Sequence, residues 1–364
     1  MKILHVGLSQ HKGGIESFAI NSFIALKGNG VIFDFADIYG DGIADSEVIR
    51  ELGGKIVTFP NFKKHPLRLY INLSKYIKAN SYDAVHIHIQ TAANLLPILA
   101  ARRAGVVPIV HNHTSSASGL LRGMLHALNV PLVRMIRANR FSCGEVAGKW
   151  FWGKRDFSVI PNSVDLDKFA FNPKWREEKR RELGVSDDTL LLGFVGRLEQ
   201  VKNPGFALRI LIDSNVKNPD RKVKLVIIGN GSLYEELNEE IQNSKKSDGA
   251  IMLGHRSDIG KYLSAIDVFL MPSLHEAFSV AAVEAQSAGC YCLFSDTVPK
   301  ETAISDGNAF LPITSTDAWV DCIEKFVVRS EGERILSKTA IEKSVYNAEI
   351  ASKLLIDVYS SARS

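Results

Sequence analysis

At 364 residues, with 46% hydrophobic and 23% charged residues, the chain is of ordinary globular composition and too long for one ordinary domain, so two are expected. No run approaches 18 uninterrupted apolar residues, which excludes a membrane span. The opening Met1 to Gly7 lacks the apolar core of an export signal, so a cytoplasmic protein, soluble or peripheral on the inner face of the membrane, is expected. The net charge of +4 hides an asymmetry: residues 1–165 carry 19 Lys and Arg against 11 Asp and Glu, and the remainder 25 against 29. The basic half is expected to face something anionic.

Apolar runs at 2–7, 31–36, 55–59, 84–89, 106–111 and 157–160 read as strands separated by helix-length stretches. Continuous runs without polar alternation suit parallel strands buried on both faces, the mark of a doubly wound α/β sheet. Gly13-Gly14-Ile15-Glu16 follows the first strand and opens a helix. Its glycines either make a tight turn or let backbone amides approach an anion.

His86-Ile87-His88 and His111-Asn112-His113 each end a strand. Alternate residues share a strand face, so each pair sends both rings one way. A hydrogen-bonded core, a substrate-facing cluster and a metal site remain open, the last weakened by the lack of a nearby Cys or carboxylate. From Gly119 to Arg140, leucines and methionines mix with Arg122, His126, Arg134, Arg137 and Arg140, with an expected break at Pro131. This stretch reads as core helices with a wet basic rim, or as a surface for anionic lipid headgroups. Cys143, Cys290, Cys292 and Cys322 form no CxxC pair and sit among core-type neighbours, which fits buried thiols in a reducing compartment.

The pattern breaks at Pro161 to Asp165 and in the charged stretch Lys174 to Glu182, the expected linker, then restarts at Leu190. Further strands are expected at 223–228, 250–253, 267–271 and 290–294. Gly196-Arg197-Leu198-Glu199-Gln200-Val201-Lys202-Asn203-Pro204 follows the restarted strand, and its two cations can neutralise a diphosphate through a planar fork and a point charge. His275 to Glu284 follows the run Val268 to Met271. A helix starting near Phe278 would aim the amides of Ser279 to Ala281 at phosphate, with Glu276 before it and Glu284 on its second turn accepting sugar hydroxyls. The last segment, about 347–361, places Ile350, Leu354, Leu355 and Val358 at helical spacing.

With these residues in view, the chain resembles the retaining GT-B glycosyltransferases of family 4, and within them the bacterial exopolysaccharide and capsule group. The resemblance rests on Gly193 to Arg197 with Lys202-Asn203-Pro204, Ile160-Pro161-Asn162-Ser163-Val164-Asp165, Ile228-Gly229-Asn230-Gly231, the Glu276 to Glu284 spacing, Phe141-Ser142-Cys143 with Ala147 to Trp150, and His111-Asn112-His113. It implies two Rossmann-like domains facing a cleft: residues 1–165 for the acceptor, with a terminal helix at about 346–364 packing back on them, and residues 166–345 for the donor. It implies a nucleotide-sugar donor, a UDP-sugar foremost, a glycan or lipid-diphosphate-linked acceptor, and no metal, cofactor or nucleic acid. Arg197 and Lys202 would hold the pyrophosphate, Glu284 the ribose, and Glu276, Phe278, Ser279 and Val280 the sugar end. His113 would sit beside the sugar's hydroxymethyl group, Gly14 near the reacting phosphate, and His255-Arg256 near the base. Arg122, Arg134, Arg137 and Arg140 would face acceptor and membrane. Ala277 and Ser279 stand where many members have glycine, which puts the donor-sugar contacts in doubt. The residues themselves leave a sugar-nucleotide epimerase or a non-catalytic binding module as rivals. Neither half has the glycine fingerprint of a nicotinamide dehydrogenase.

Overall fold

A computed structural model describes residues 1–11, 13–117, 119–244 and 247–362. The chain divides into two compact units, Met1–Val164 with Val345–Ser364, and Asp165–Ser344.

In the first unit seven strands, β1 (Lys2–Val6), β2 (Ile32–Asp37), β3 (Ile56–Thr58), β4 (Ala84–Ile89), β5 (Ile109–Asn112), β6 (Asn139–Ser142) and β7 (Ser158–Val159), form one parallel sheet in the order β3-β2-β1-β4-β5-β6-β7. The apolar runs are buried on both faces, as parallel strands require. Leu4, Val6, Val85, Ile87 and Val110 pack on one side, while Ile3, Phe33, Phe35, Ala84 and Ile109 pack on the other with Phe18, Leu355 and Tyr359. Pro108 delays the start of β5 beyond the expected position, and β6, which begins with polar Asn139 and Arg140, lies outside the expected strands.

The terminal helix Ala348–Ser361 lies against the helix Gly14–Ala25 and buries Ala351, Leu355 and Tyr359. Leu354, expected on its inner stripe, is 39% exposed, because the buried stripe runs 348, 351, 352, 355, 359.

The second unit holds β8 (Leu190–Val195), β9 (Val223–Ile228), β10 (Ala250–Gly254), β11 (Val268–Met271), β12 (Tyr291–Ser295) and β13 (Asn308–Leu311), ordered β10-β9-β8-β11-β12-β13 and all parallel. β13 is an edge strand of half-buried residues, too mixed in polarity to be read as a strand. The charged stretch expected as linker is a helix of this unit, Pro173–Glu182, capped by the Asn172 side chain. Arg176 and Arg180 of this helix reach the buried Asp267 at 2.7 and 3.1 Å, and Arg334 adds a third guanidinium at 3.8 Å.

In each sheet the chain runs outward from a central strand and returns on that strand's other side. The reversals lie between β1 and β4 and between β8 and β11, where open α/β sheets bind ligands at the carboxyl ends of their strands.

Candidate functional site

At the second unit's reversal the loops leaving β8 and β11 are tied together by three bonds. The Val201 carbonyl accepts from the Leu274 amide at 2.8 Å, the Asn203 side chain donates to the Pro272 carbonyl at 3.2 Å, and Lys202 Nζ donates to Glu276 Oε1 at 2.5 Å. Asn203 adopts a left-handed φ of 55° at the start of the helix Pro204–Lys217. Glu276 is 6% exposed and also accepts from Ser273 Oγ at 2.8 Å. A buried carboxylate thus sits against a half-buried ammonium, with exposed Arg197 on the same loop. The β8 loop is braced from behind: Glu199 receives Ser232 Oγ at 2.7 Å, and Gly229 lies so close to the Gly196 carbonyl that a Cβ would stand 1.8 Å from its oxygen.

The helix after Glu276 begins at Val280, not Phe278. Ser279 is extended and its Oγ accepts from the Ala282 amide, so the open first-turn amides are those of Val280 and Ala281. Phe278 and Glu284 are half-buried. His255 is exposed just beyond β10, and Arg256 is committed to Asp258 at 3.3 Å and to the Tyr262 ring.

In the first unit, Gly13 caps the helix Gly14–Ala25, and Glu16 turns back to accept from the amides of Gly13 and Ser9. The helix start therefore carries its own carboxylate, which weakens the expected anion site there. Gly14 also lies against the Asn162 side chain, which would have to shift to admit a Cβ standing 2.9 Å from its Nδ2.

The two HxH pairs are joined by His5. Five imidazoles lie side by side under Phe18 and Tyr359, because register places His5 opposite His86 and His88 opposite His111. Burial pulls His5 and His113 down to about 3 and holds His86, His88 and His111 well below the ordinary value, so all five are neutral. His5, His86 and His88, and again His88, His111 and His113, bring ring nitrogens close enough to share a metal ion. Neighbouring rings are already joined in hydrogen bonds, and no carboxylate belongs to either group to offset a buried dication. Both ring nitrogens of His113 are engaged, by His88 at 3.0 Å and Asn162 Oδ1 at 3.2 Å. The expected hydrogen bond from this imidazole to a sugar would have to displace one of them.

The helix Leu120–Met135 runs through Pro131 unbroken. The Ala127 carbonyl that loses its partner lies on an exposed residue, where water can serve it. Only Val130 and Val133 are buried, while Leu121, Leu128 and Met135 are 71%, 68% and 75% exposed. Arg122 and Arg137 are exposed as expected. Arg134 and Arg140 are not: Arg134 Nε donates to the Phe151 carbonyl at 2.7 Å, and Arg140 lies over the Trp152 ring. Cys143, Cys290 and Cys292 are buried and Cys322 half-buried. No helix among the described residues is long and apolar enough to cross a membrane. A cavity of about 720 Å³ beside β2 and β3, lined in part by Gln10, Asp37, Arg50 and Lys55, includes none of the expected residues.

The sequence singles out Lys202 and Glu276 but not Ser273, which bonds to Glu276, nor the contacts of His5, Tyr359 and the Asn162 side chain.

Comparison with known proteins agrees with this architecture. Residues 12–168 match the family described as Glycosyltransferase Family 4, and residues 175–343 match Glycosyl transferases group 1. A protein of Bacillus subtilis (strain 168) that carries the name glycosyltransferase EpsF is 29% identical over 98% of this chain and 96% of its own length. The UDP-Gal:alpha-D-GlcNAc-diphosphoundecaprenol alpha-1,3-galactosyltransferase of Escherichia coli is 28% identical over 97% of this chain and 95% of its own. Among solved structures, Anabaena Alr3699/HepE in complex with UDP and glucose superposes with a TM-score of 0.75 at 19% identity, covering 99% of this chain and 100% of its own. A glycosyltransferase from Rickettsia africae ESF-5 reaches 0.79 at 16% identity, covering 99% and 98%. With both halves matched by its models, the chain belongs to the family 4 glycosyltransferases and is a glycosyltransferase of GT-B fold.

Proposed function

We propose that this glycosyltransferase moves a sugar from a nucleoside diphosphate donor, a UDP-sugar foremost, to a hydroxyl of a glycan or lipid-diphosphate-linked acceptor, with retention of configuration. The setting is exopolysaccharide, capsule or related cell-surface polysaccharide synthesis. HepE was solved with UDP and glucose, and the E. coli relative is named for a UDP-galactose donor and a diphosphoundecaprenol acceptor, which supports these classes. The observation that carries the reading is the tied pair of loops presenting Lys202 against Glu276 at the sheet's reversal.

Without donor, ammonium and carboxylate neutralise each other. Donor arrival would draw Lys202 to the pyrophosphate beside Arg197 and release Glu276 to accept sugar hydroxyls, while the amides of Val280 and Ala281 meet the phosphates and Glu284 the ribose. As the glycosidic bond breaks, negative charge grows on the diphosphate, where these groups already stand. The acceptor attacks on the face the diphosphate leaves, and a phosphate oxygen takes its proton. His255 and Arg256 face the base, and Gly14 lies near the reacting phosphate. His113 sits at the sugar end, where a hydrogen bond to a sugar hydroxyl would replace one of its present partners, His88 or Asn162. His113→Ala is therefore expected to lower turnover more than UDP affinity.

Lys202→Ala or Arg197→Ala is expected to cut turnover at least roughly a hundredfold with unchanged circular dichroism, the scale of one lost preorganised contact. Activity is expected to survive chelation, since cationic side chains meet the charge. Near-normal turnover in both variants would sink the assignment.

The acceptor class fits a second feature of the reading, docking of the helix Leu120–Met135 on an anionic membrane. Its exposed Leu121, Met124, Leu128 and Met135 insert, and Arg122 and Arg137 attract headgroups at about 1 kcal/mol each. Binding to phosphatidylglycerol vesicles should fall with salt in the wild type and vanish in Leu121→Gln/Leu128→Gln, with UDP-glucose hydrolysis retained. Wild-type binding that ignores salt, or vesicle binding kept by the double variant, would count against it.

A further inference from the structure

Glu276 is held from two sides, and only one of its holders carries charge. Both bonds that it accepts fall on Oε1, from Lys202 Nζ at 2.5 Å and from Ser273 Oγ at 2.8 Å, while Oε2 accepts none among the described residues. An ionised carboxylate can only accept, so the Ser273 hydroxyl donates its proton here. Ser214, Ser264 and Ser287, also buried in this unit, behave differently. Each gives its proton to the backbone carbonyl four residues back, an ordinary way to satisfy a buried hydroxyl on a helix. Ser273, 1% exposed, turns to a charged side chain instead.

The backbone of Ser273 is fixed in its turn. β11 and β12 pair as far as Met271 opposite Phe294, and Pro272, which has no amide hydrogen, cannot extend the ladder as a donor. The Ser273 carbonyl just beyond it accepts from two hydroxyls, Ser295 Oγ at 2.6 Å and Thr297 Oγ1 at 2.7 Å, one for each lone pair. Ser295 is fully buried at the end of β12. On the other side, Asn203 donates to the Pro272 carbonyl and the Leu274 amide donates to the Val201 carbonyl. Residues 272–274 are thus pinned between the end of β12 and the loop that carries Lys202.

When Lys202 turns to the diphosphate, the Glu276 carboxylate loses its countercharge at the moment it receives the sugar. A glutamate left free to rotate would have to be ordered on binding, at about two- to tenfold in affinity. A hydroxyl fixed to the sheet does not leave with the ammonium, and its bond to the bare carboxylate is charge-assisted. We propose that Ser273 is a positioning residue that keeps the Glu276 carboxylate in place by Oε1 once Lys202 has turned to the diphosphate, leaving Oε2 for a hydroxyl of the transferred sugar, and that Ser295 and Thr297 hold Ser273 for this task. The sugar contact rests on the donor reading given above; the hydrogen-bond network stands without it.

A double-mutant cycle tests the positioning, read by hydrolysis of radiolabelled UDP-glucose or UDP-galactose, whichever the wild type cleaves faster, and by calorimetry of UDP alone. Ser273→Ala is expected to lower the hydrolysis rate about tenfold, the scale of one hydrogen bond to a charged group, and to leave UDP affinity within about twofold, since Lys202 and Arg197 remain. Ser295→Ala/Thr297→Val, which frees the Ser273 carbonyl without touching the carboxylate, is expected to act in the same direction at about threefold. In a Glu276→Ala background, Ser273→Ala is expected to cost less than about twofold, because the group it positions is gone. An equal loss with and without Glu276, or a loss of UDP affinity that matches the loss of hydrolysis, would mean that Ser273 merely supports the loop and would overturn the proposal. Glu276→Ala by itself separates the two readings. If it is slow while Ser273→Ala hydrolyses at the wild-type rate, the donor site stands and this proposal falls; if it hydrolyses near normally, the sugar role of Glu276 falls and this proposal with it.

Discussion

The two units share one architecture and bury their polar groups in opposite ways. The first seats five neutral imidazoles beneath the helices Gly14–Ala25 and Ala348–Ser361. The second seats Asp267 among Arg176, Arg180 and Arg334, with burial above all pulling Arg334 down to about 10. Neutral rings can hold hydrogen-bond direction but cannot accept charge, whereas the carboxylate and guanidiniums depend on one another's charge. The same parallel sheet is therefore vulnerable to acid in one half and to loss of one anion in the other.

Acid should break the comparison most sharply. The five histidines titrate near 6.5 when unfolded and far lower when folded, His5 and His113 at about 3. The unfolded first unit then binds more protons than the folded one, so its stability falls as pH drops from 6.5 toward 3. At pH 5 the loss is about 2 kcal/mol for each of His5 and His113, and the other three add to it in the same direction. Asp258 of the second unit, where burial is outweighed by Lys179 and Arg256, stays below the usual carboxylate range, so its stabilising pairs persist to about pH 4. Hydrogen exchange at pH 5 against pH 7 is expected to show β1, β4 and β5 opening first, with β8 and β11 protected. Equal loss in both units would refute the account.

The next expected effect strikes the other half. Asp267→Asn leaves three guanidiniums facing each other with little to offset them, for a loss of about 3–5 kcal/mol confined to the second unit. Urea unfolding read through hydrogen exchange should show β8 and β11 weakened and the histidine sheet unchanged. A loss below about 1 kcal/mol would mean that the arginines are held mainly by backbone carbonyls, of which Ala265, Ala288 and Leu263 are within reach.

How much of this can be read from the sequence follows from the same contrast. A strand such as β8, Leu190–Val195, is visible because burial on both faces leaves no polar residue in it, and Lys202 and Glu276 stand out by their place after β8 and β11. The imidazole chains are hidden because they depend on register: nothing in His86-Ile87-His88 says that His5 lies opposite one end and His111 opposite the other. The arginine cluster is hidden because a helix reading Lys-Trp-Arg-Glu-Glu-Lys-Arg-Arg-Glu is polar almost throughout, and its buried Arg180 resembles a solvated one. In the helix Leu120–Met135 the apolar residues are legible but their direction is not, since an inward and an outward stripe share one spacing.

The smallest expected effect sharpens the comparison within the first unit. The Tyr359 hydroxyl ends a chain of hydrogen bonds that runs from the Ile160 carbonyl through His111 and His86, and Tyr359 is fully buried on the terminal helix. Tyr359→Phe keeps the ring but leaves the His86 Nδ1 lone pair without a donor, at about 1–2 kcal/mol. The proton pattern should survive, because the Ile160 carbonyl, which can only accept, fixes it from the opposite end. His86 and His111 are therefore expected to stay protonated on Nε2 in this variant, while the helix Ala348–Ser361 exchanges faster. A switch of His86 to Nδ1–H would show that Tyr359 sets the direction of the chain, and the assignment from Ile160 would be wrong.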